Sequence, residues 1–460
     1  MRRVIASCAL VFLGASGISA QEPFNAAVDS IARDVLRQTG VPSASLAVVR
    51  DGKVVYAQAY GDAKVDGHVA ATTSMRYSIG SISKQFCAGA VLLLVQDGKL
   101  SLDDPVSKYF PDLTRASEVT IRELLSHTSG YQDYWPQDYV MPGMLDSITA
   151  RQIVDRWAKI PLDFDPGTRW QYSNTNFVIA GMIVEKVSGM PFFEFLRTRV
   201  LNPLGIESVK NIDMGRLPDS DPTGYVRYAL GPARPALKEG KGWLFAAGEL
   251  AMTASDLAKW DIAMMNESLL APASYRTMET EVLLKSGVGT GYGLGVDVGM
   301  QGGHRAISHG GEVSGFTAQN VVFPDEHAAV VVLTNQDAAA ASGEIANRIG
   351  ARLFTTEDAS AHTHEAQAQK IFEALQKGTI DRSLFTSNAN FYFNAQTLAD
   401  FSSSLGPLGT PTSFVQTFRA LRGGMVLRVY QVRFAQGPGV RAWTFEMPDG
   451  KLEQYQVANN

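Results

Sequence analysis

Ser81 and Lys84 are the residue pair in this chain whose types and spacing best suit covalent chemistry. A Ser-x-x-Lys pattern at the start of a helix places a hydroxyl and an ammonium on one helix face, a single turn apart. Acyl transfer through a serine needs a nucleophile beside a group that can take its proton. The predicted helix, Ser81 to Gln96, is apolar nearly all round and is expected to be buried. A surface serine beside a snorkelling lysine is the alternative, but this is the only Ser-x-x-Lys in the chain.

A second pair, Tyr172 and Asn174, follows the turn at Pro166-Gly167 and precedes a predicted helix. Beside an ammonium, the phenolate of Tyr172 is expected to be favoured, which would bring the phenol closer to a working base or acid. Asn174 can both donate and accept, so it suits contacts with Lys84 and with a substrate amide. Taken alone, the pair equally fits an ordinary loop.

A third group is His309, Gly310 and Gly311, followed by Glu312. Two glycines allow the backbone of a strand to come close to an acyl group lying along the strand edge. His309 equally fits a histidine at the edge of the core. His127 is interpreted as a structural residue that orients its loop by hydrogen bonds.

The elements that must position these residues are two hairpins with helices between them. Apolar runs flank turns at residues 50–53 and 324–327, which predicts hairpins over residues 45–60 and 319–333. We therefore expect an α/β (α+β) fold with one antiparallel sheet, built from both ends of the domain and flanked by helices, plus a helical subdomain.

The remainder of the chain is predicted to form a small second domain. Residues 357–367 are polar and are interpreted as a linker. Residues 368–460 are predicted to form a small C-terminal α+β domain of unknown role, with a helix over Ala368–Lys377 and strand-like runs that include Phe391–Phe393.

The N-terminus predicts export. Two arginines, an apolar stretch over Val4–Leu13 and small residues up to Ala20 are typical of a cleaved signal peptide over residues 1–20. The hydrolytic domain would then span residues 21–356 of a periplasmic or secreted protein. Beyond the leader, no apolar run is long enough to span a bilayer, so no transmembrane anchor is expected after cleavage.

Composition limits the partners. The formal net charge of −5 becomes about −7 without the two leader arginines, which argues against nucleic acid and anionic membrane surfaces as partners. The spacing of zinc ligands is absent, and Cys87, the one cysteine outside the leader, is expected to be a small core residue. Small molecules or peptides, including cell-wall peptides, are the expected substrates.

Six segments in order resemble the serine β-lactamase and penicillin-binding protein superfamily, in particular its class C β-lactamase-like branch. That branch includes class C β-lactamases, family VIII carboxylesterases, D-aminopeptidases and DD-carboxypeptidases. The resemblance runs from about Pro42 to Asn335. The matching segments are Ser81–Lys84, Gly98–Pro105, Leu124–Gly130, Pro166–Asn174, Thr253–Trp260 and His309–Gly311.

The resemblance implies a β-lactamase-like fold and a mechanism that uses no metal or cofactor. Ser81 would attack the substrate carbonyl while Lys84 and Tyr172 share the proton transfers, with either of the two as the base. Backbone N–H groups of Ser81 and Glu312 would form the oxyanion hole. Asn174 would hold the substrate amide, and water would release the acyl group.

Departures from the superfamily pattern bear on the substrate. The third motif of β-lactamases is usually Lys-Thr-Gly, and its lysine favours a substrate carboxylate. His309 stands at that position, so the attraction is weaker. Arg305, four residues earlier on the same strand face, would compensate in part if it reached the cleft. Glu249 either reaches the cleft or points to solvent, and the sequence favours solvent.

Aromatic residues after the His127 loop offer a further feature. Tyr131, Tyr134 and Trp135 would either form an aromatic wall for the acyl group or pack within the loop.

The sequence therefore predicts an exported serine hydrolase that cleaves an ester or a peptide-like amide through an acyl-Ser81 intermediate, of the esterase or D-amino-acid peptidase type. A DD-carboxypeptidase or β-lactamase acting on peptidoglycan peptides or β-lactams is the first alternative. A penicillin-binding sensor that is acylated without turnover is the second.

Overall fold

The structure is a computed structural model, and it describes residues 21–135, 143–354 and 360–459. The predicted signal peptide, residues 1–20, lies outside this described part. The chain divides into two compact units, one ending at Phe354 and the other beginning at Thr355.

The first unit combines helices with strands of very different lengths. Its helices α1 to α10 are Gln21–Thr39, Ser83–Gln96, Ile121–Leu125, Ala150–Trp157, Asn174–Ser188, Phe192–Leu196, Phe245–Gly248, Ala254–Met265, Pro272–Met278 and Ala341–Leu353. Its strands β1 to β12 are Ser43–Arg50, Lys53–Lys64, Val69–Ala70, Tyr77–Ser78, Lys210–Asn211, Tyr225–Val226, Arg234–Pro235, Leu250–Met252, Asp297–Gln301, His304–Val313, Phe316–Phe323 and Ala328–Thr334.

Seven of these strands form one sheet in the order β3-β2-β1-β12-β11-β10-β9, with every neighbouring pair antiparallel. The first and last long strands pair directly, with Val48 opposite Val330. Both predicted hairpins, β1–β2 and β11–β12, are present. The prediction of one antiparallel sheet drawn from both ends of the unit is therefore confirmed.

The sheet lies between two hydrophobic layers. Strand β1 is buried on both faces, because its side chains alternate between the layers. Leu46 and Val48 belong to the cluster that includes side chains of α1 and α10, whereas Ala47 and Val49 belong to the larger cluster that includes α2, α5 and α8. The larger cluster is the core of the helical part of the unit, and it carries α2.

Helix α2 begins two residues later than predicted. It starts at Ser83, and Ser81 lies in a 3₁₀ turn over Gly80–Ile82 immediately before it. Gly80 has φ +50°, a left-handed conformation that turns the chain sharply before α2. From Ser83 to Leu94 every residue of α2 is buried, as the apolar pattern predicts.

The 3₁₀ turn and strand β10 touch through their backbones. A Cβ atom on Gly311 would lie 1.9 Å from the carbonyl oxygen of Ile79 and 3.3 Å from the amide nitrogen of Ser81. A Cβ atom on Gly80 would lie 2.6 Å from the amide nitrogen of Glu312. The two segments can approach this closely only because neither glycine has a side chain.

The second unit is a four-stranded antiparallel sheet with helices, which confirms the α+β prediction. Its helices α11 to α13 are Ala361–Leu375, Ser387–Tyr392 and Ala395–Leu405, and its strands β13 to β16 are Pro411–Arg422, Met425–Phe434, Val440–Glu446 and Leu452–Asn459.

Two local predictions in this region are wrong. Helix α11 begins at Ala361, inside the segment interpreted as a linker. The sequence pattern did not show this start, because the first turns of the helix are polar and lie outside the hydrophobic cluster that Ala368 and Phe372 join. The strand-like run Phe391–Phe393 overlaps helix α12, where the Thr386 side chain caps the helix by accepting a hydrogen bond from the backbone N–H of Ala389.

Within the described residues, none of the helices combines the length and apolar character that crossing a bilayer requires.

The contact between the 3₁₀ turn and β10 predicts different responses from adjacent glycines. Gly311→Ala places a methyl group into the Ile79 carbonyl, so the strand or the turn must move, and we expect a loss of about 1–3 kcal/mol in the free energy of unfolding. Gly310→Ala is the matched control, because its Cβ would meet only the side-chain oxygen of Gln319, at 3.5 Å. Urea denaturation followed by tryptophan fluorescence measures both. Equal stability of the two variants would contradict the contact.

Candidate active site

Lys84 is completely buried (0% exposed) in the first turn of α2. Its Nζ lies 2.9 Å from Ser81 Oγ, 2.7 Å from Asn174 Oδ1 and 2.9 Å from the carbonyl oxygen of Ala247. Burial lowers the pKa of Lys84 to about 7, although the nearby Asp133 carboxylate acts in the opposite direction. The amine is thus brought into the range where it exchanges protons near neutral pH.

Asp133 fixes the orientation of Asn174, the first residue of α5. The backbone N–H of Asn174 donates to Asp133 Oδ1 at 2.9 Å, and its side-chain Nδ2 lies 3.2 and 3.3 Å from the two carboxylate oxygens. Because the NH₂ end of the amide faces the carboxylate, its oxygen faces Lys84. Burial raises the pKa of Asp133.

Tyr172 lies against both other members of the group. Its hydroxyl lies close enough to the Ser81 side chain to interact with it, and its ring centroid is 4.9 Å from Lys84 Nζ. The expectation that the ammonium would favour the phenolate is wrong. Burial raises the pKa of Tyr172 far above its ordinary value, because desolvation of the phenolate outweighs the opposing effect of Ser81. Tyr172 is therefore a phenol at neutral pH.

His127 contacts the loop that carries Tyr172. Its Nδ1 accepts a hydrogen bond from the backbone N–H of Ser173 at 3.1 Å, and its ring centroid lies 4.3 Å from that of Tyr172. Its backbone is left-handed, with φ +61°. Burial lowers the pKa of His127, so the ring is neutral. These contacts agree with the structural role predicted for this residue.

His309 is also a neutral, buried ring (4% exposed). Its Nδ1 lies 2.5 Å from the carbonyl oxygen of Gly310, which can only accept, so this nitrogen carries the proton. Nε2 then accepts from the hydroxyl of Tyr292 at 2.8 Å. Burial lowers the pKa of His309 to about 3, and the lysine charge of the Lys-Thr-Gly pattern has no equivalent at this position.

Two predictions about nearby charges are resolved by the structure. Arg305 donates to the Glu279 carboxylate at 3.0 Å, so its charge is already neutralised and does not replace the missing lysine. The preference for a solvent-facing Glu249 is wrong, because this side chain is only 2% exposed and accepts from Asn211 Nδ2 at 2.7 Å. Burial raises the pKa of Glu249 to about 8.

Ser81 lies between two cavities. One, of about 570 Å³, is lined by Asp133, Asn174 and Glu312 together with Ser81 and Tyr172. The other, of about 770 Å³, also contains Ser81, Tyr172 and Glu312 and extends along β10, β11 and α10. The second cavity brings in the predicted residues His309, Gly310 and Gly311.

The aromatic wall is present in part. Tyr134 and Trp135 line the 570 Å³ cavity. Tyr131 is buried, and its hydroxyl donates to the carbonyl oxygen of Thr114, so it packs within the loop.

The structure thus brings together all the predicted site residues, namely Ser81, Lys84, Tyr172, Asn174, His309, Gly310, Gly311 and Glu312. Sequence reasoning missed Asp133 and Tyr292, which hold Asn174 and His309. An acid between aromatic residues after the His127 loop was the available signal for Asp133. Among the described residues, no cluster of three or more His, Cys, Asp or Glu side chains could hold a metal ion.

Comparison with known proteins places this geometry in a family. A family model described as Beta-lactamase matches residues 28–353. The D-aminopeptidase of Gluconobacter oxydans is 30% identical over 305 residues, covering 65% of this chain and 57% of that protein. Penicillin-binding protein 4* of Bacillus subtilis is 27% identical over 303 residues, covering 62% of this chain and 66% of that protein. The match thus spans less than two thirds of the length of these relatives.

Solved structures agree. The D-amino acid amidase of Ochrobactrum anthropi SV3, in complex with L-phenylalanine amide, superposes with a TM-score of 0.64 at 27% identity and covers 72% of this chain and 98% of that one. A penicillin-binding protein homologue from Pyrococcus abyssi, described as octameric, shares the fold at 22% identity with a TM-score of 0.62 and covers 94% of this chain and 98% of that one. The chain therefore belongs to the Beta-lactamase family of serine hydrolases.

Proposed function

We propose that this protein is an exported hydrolase of the D-aminopeptidase type, which cleaves a peptide-like amide or an ester through an acyl-Ser81 intermediate. The observation that carries the proposal is the set of atoms around Lys84 Nζ. Export rests on the sequence of residues 1–20 alone, and the chemistry is assigned to the domain over residues 21–356.

The contacts of Lys84 fit a neutral amine that acts as the base. A neutral amine has two N–H donors and one lone pair. Asn174 Oδ1 and the Ala247 carbonyl oxygen receive the two donors, since neither oxygen can donate to the amine. The lone pair is left for the Ser81 hydroxyl, at 2.9 Å. Lys84 then accepts the Ser81 proton as Oγ bonds to the substrate carbonyl carbon.

Tyr172 is the acid in this scheme. As a phenol near Ser81, it protonates the leaving nitrogen or oxygen as the bond to the acyl carbon breaks. The Lys84 ammonium returns a proton to Tyr172, which leaves the amine neutral again. Water then attacks the acyl carbon, gives its proton to Lys84 and releases the acid, and Ser81 recovers its proton.

The backbone contact at Gly311 places two N–H groups where they could stabilise the negative charge that develops on the substrate oxygen. The N–H groups of Ser81 and Glu312 lie on the two backbones that touch there and would donate to the developing oxyanion. Losing one such donor typically costs about 2.7–4 kcal/mol of transition-state stabilisation.

The charges around Ser81 favour a substrate with a free ammonium. Asp133 and Glu312 place carboxylates on the wall of the 570 Å³ cavity. On the side of the larger cavity, Arg348 is already paired with Asp34 at 3.0 Å and with Glu344 at 3.6 Å. Since His309 is neutral as well, a substrate carboxylate finds little attraction, which disfavours β-lactams and D-Ala-D-Ala peptides.

The first prediction concerns the nucleophile. Ser81→Ala removes the atom that forms the acyl intermediate, so we expect kcat/KM to fall by about 10⁴-fold or more. The assay compares D-amino acid p-nitroanilides, p-nitrophenyl esters, nitrocefin and a D-Ala-D-Ala peptide on wild type and variant. Steady turnover of the D-amino acid anilides supports the proposal. One equivalent of product followed by silence indicates a non-hydrolysing sensor, and undiminished turnover by the variant would falsify the mechanism.

The second prediction concerns pH. Because Lys84 must be neutral to accept the proton, kcat/KM should rise about tenfold per pH unit below about pH 7 and level off above it. Tyr172→Phe should lower the rate but keep the position of this limb. Asp133→Asn should shift the limb to lower pH, because the carboxylate that raises the pKa of Lys84 is gone. A limb well above pH 10 would instead assign the base to Tyr172.

The third prediction concerns recognition of the substrate ammonium by Glu312. Glu312→Gln keeps the backbone N–H and the side-chain oxygen that accepts from Ala338 at 2.8 Å, and removes only the charge. For an exposed pair we expect KM for D-alanine p-nitroanilide to rise about 2–5-fold. The N-acetylated anilide, which has no ammonium, is the control and should not be weakened. An equal effect on both substrates would contradict recognition of the amine.

A further inference from the structure

A separate cavity of about 210 Å³ lies beside the strand that carries Glu312. Val313 lines both this cavity and the 570 Å³ cavity next to Ser81. The volume of the 210 Å³ cavity corresponds to roughly seven water molecules, which is enough for a carboxylate-bearing or phosphate-sized group.

Three cationic side chains line this cavity, namely Lys64, Arg216 and Lys238. Within the described part of the chain, none of the three forms an ion pair with a carboxylate. The Nζ of Lys238 lies 3.3 Å from the backbone carbonyl of Glu239. An anion in the cavity would therefore meet cations that are not already paired with a carboxylate.

The described acidic side chains that line the cavity form no ion pair with these three cations. The Asp221 carboxylate accepts hydrogen bonds from Arg76, from the backbone N–H at 3.0 Å and from the guanidinium at 2.9 Å. Glu239 accepts from the backbone N–H of Ser314 at 2.8 Å, which ties its carboxylate to the β10–β11 turn. Asp219 is exposed and forms no ion pair with a described residue.

Lys238 also shows the effect of its neighbours. Burial lowers its pKa, Glu239 and Asp213 oppose that effect, and the positive charge of Arg216 adds to it by a smaller amount. The two cations are therefore close enough to interact, and a bound anion would restore the ordinary pKa of the amine.

We propose that this cavity binds a small anionic group, a carboxylate or a phosphate, between Lys64, Arg216 and Lys238. The group belongs either to a free anion or to the side chain of a substrate bound at Ser81, because Val313 lines both cavities. The second source rests on the proposed function, since it requires an acyl group with an ammonium near Glu312 and a carboxylate beyond Val313.

Binding of a free anion is tested without any turnover. The probes are inorganic phosphate and succinate, titrated into the Ser81→Ala protein at constant ionic strength set with sodium chloride, with calorimetry and thermal unfolding as readouts. We expect saturable binding that weakens at least tenfold in Arg216→Gln/Lys238→Met. Arg234→Gln, an exposed cation that does not line the cavity, is the matched control and should bind as before.

A substrate side chain is tested by a ratio. Wild type should favour D-glutamyl p-nitroanilide over the isosteric D-glutaminyl p-nitroanilide in kcat/KM, and the double variant should reduce that ratio about 5–10-fold, while Arg234→Gln leaves it unchanged. Circular dichroism confirms that the variants are folded.

The outcomes separate the two proposals. Saturable phosphate or succinate binding that the double variant loses supports the anion site even if no anilide is hydrolysed, in which case only the proposed function fails. A reduced ratio supports the substrate as the source of the anion. The inference is overturned if neither probe binds saturably and the ratio is the same in wild type and double variant.

Discussion

The burial of one amine organises this site. Lys84 has no contact with solvent, and burying a cation is unfavourable, so the pKa of the amine is lowered. Three oxygen atoms from three parts of the chain surround its Nζ. The 3₁₀ turn supplies Ser81, the start of α5 supplies Asn174 and α7 supplies the Ala247 carbonyl. Any shift among these elements would leave the amine with an unsatisfied hydrogen bond in a low-dielectric environment.

The residues around Lys84 each position a different reacting group. Asp133 orients the Asn174 amide, and His127 supports the Tyr172 loop by a hydrogen bond and ring contact. The backbone contact at Gly311 joins the sheet to the helical layer at the point where Ser81 stands. Positioning is thus achieved mainly by groups that do not themselves react, which keeps the reacting atoms in place before substrate arrives.

The residues that form local patterns could be predicted from the sequence. The spacing of Ser81 and Lys84, the turns of the two hairpins and the His309 glycines were sufficient for the sheet and for the membership of the site. Long-range electrostatics were not predictable in the same way. Glu249 and the phenol of Tyr172 have pKa values set by burial, which depends on how distant segments pack, and Asp133 acts through Asn174, 41 positions away in the chain. Helix α11 was missed in part because its first turns lack an apolar pattern.

The pairing of β1 with β12 has a consequence for how the protein is made. Val48 cannot find its partner until Val330 has been synthesised, so the central ladder closes only after nearly the whole first unit has left the ribosome. Until then β1, which is apolar on both faces, has one edge without its native neighbour. Pairing between strands so far apart in the sequence favours slow folding, and the open edge favours aggregation during that interval.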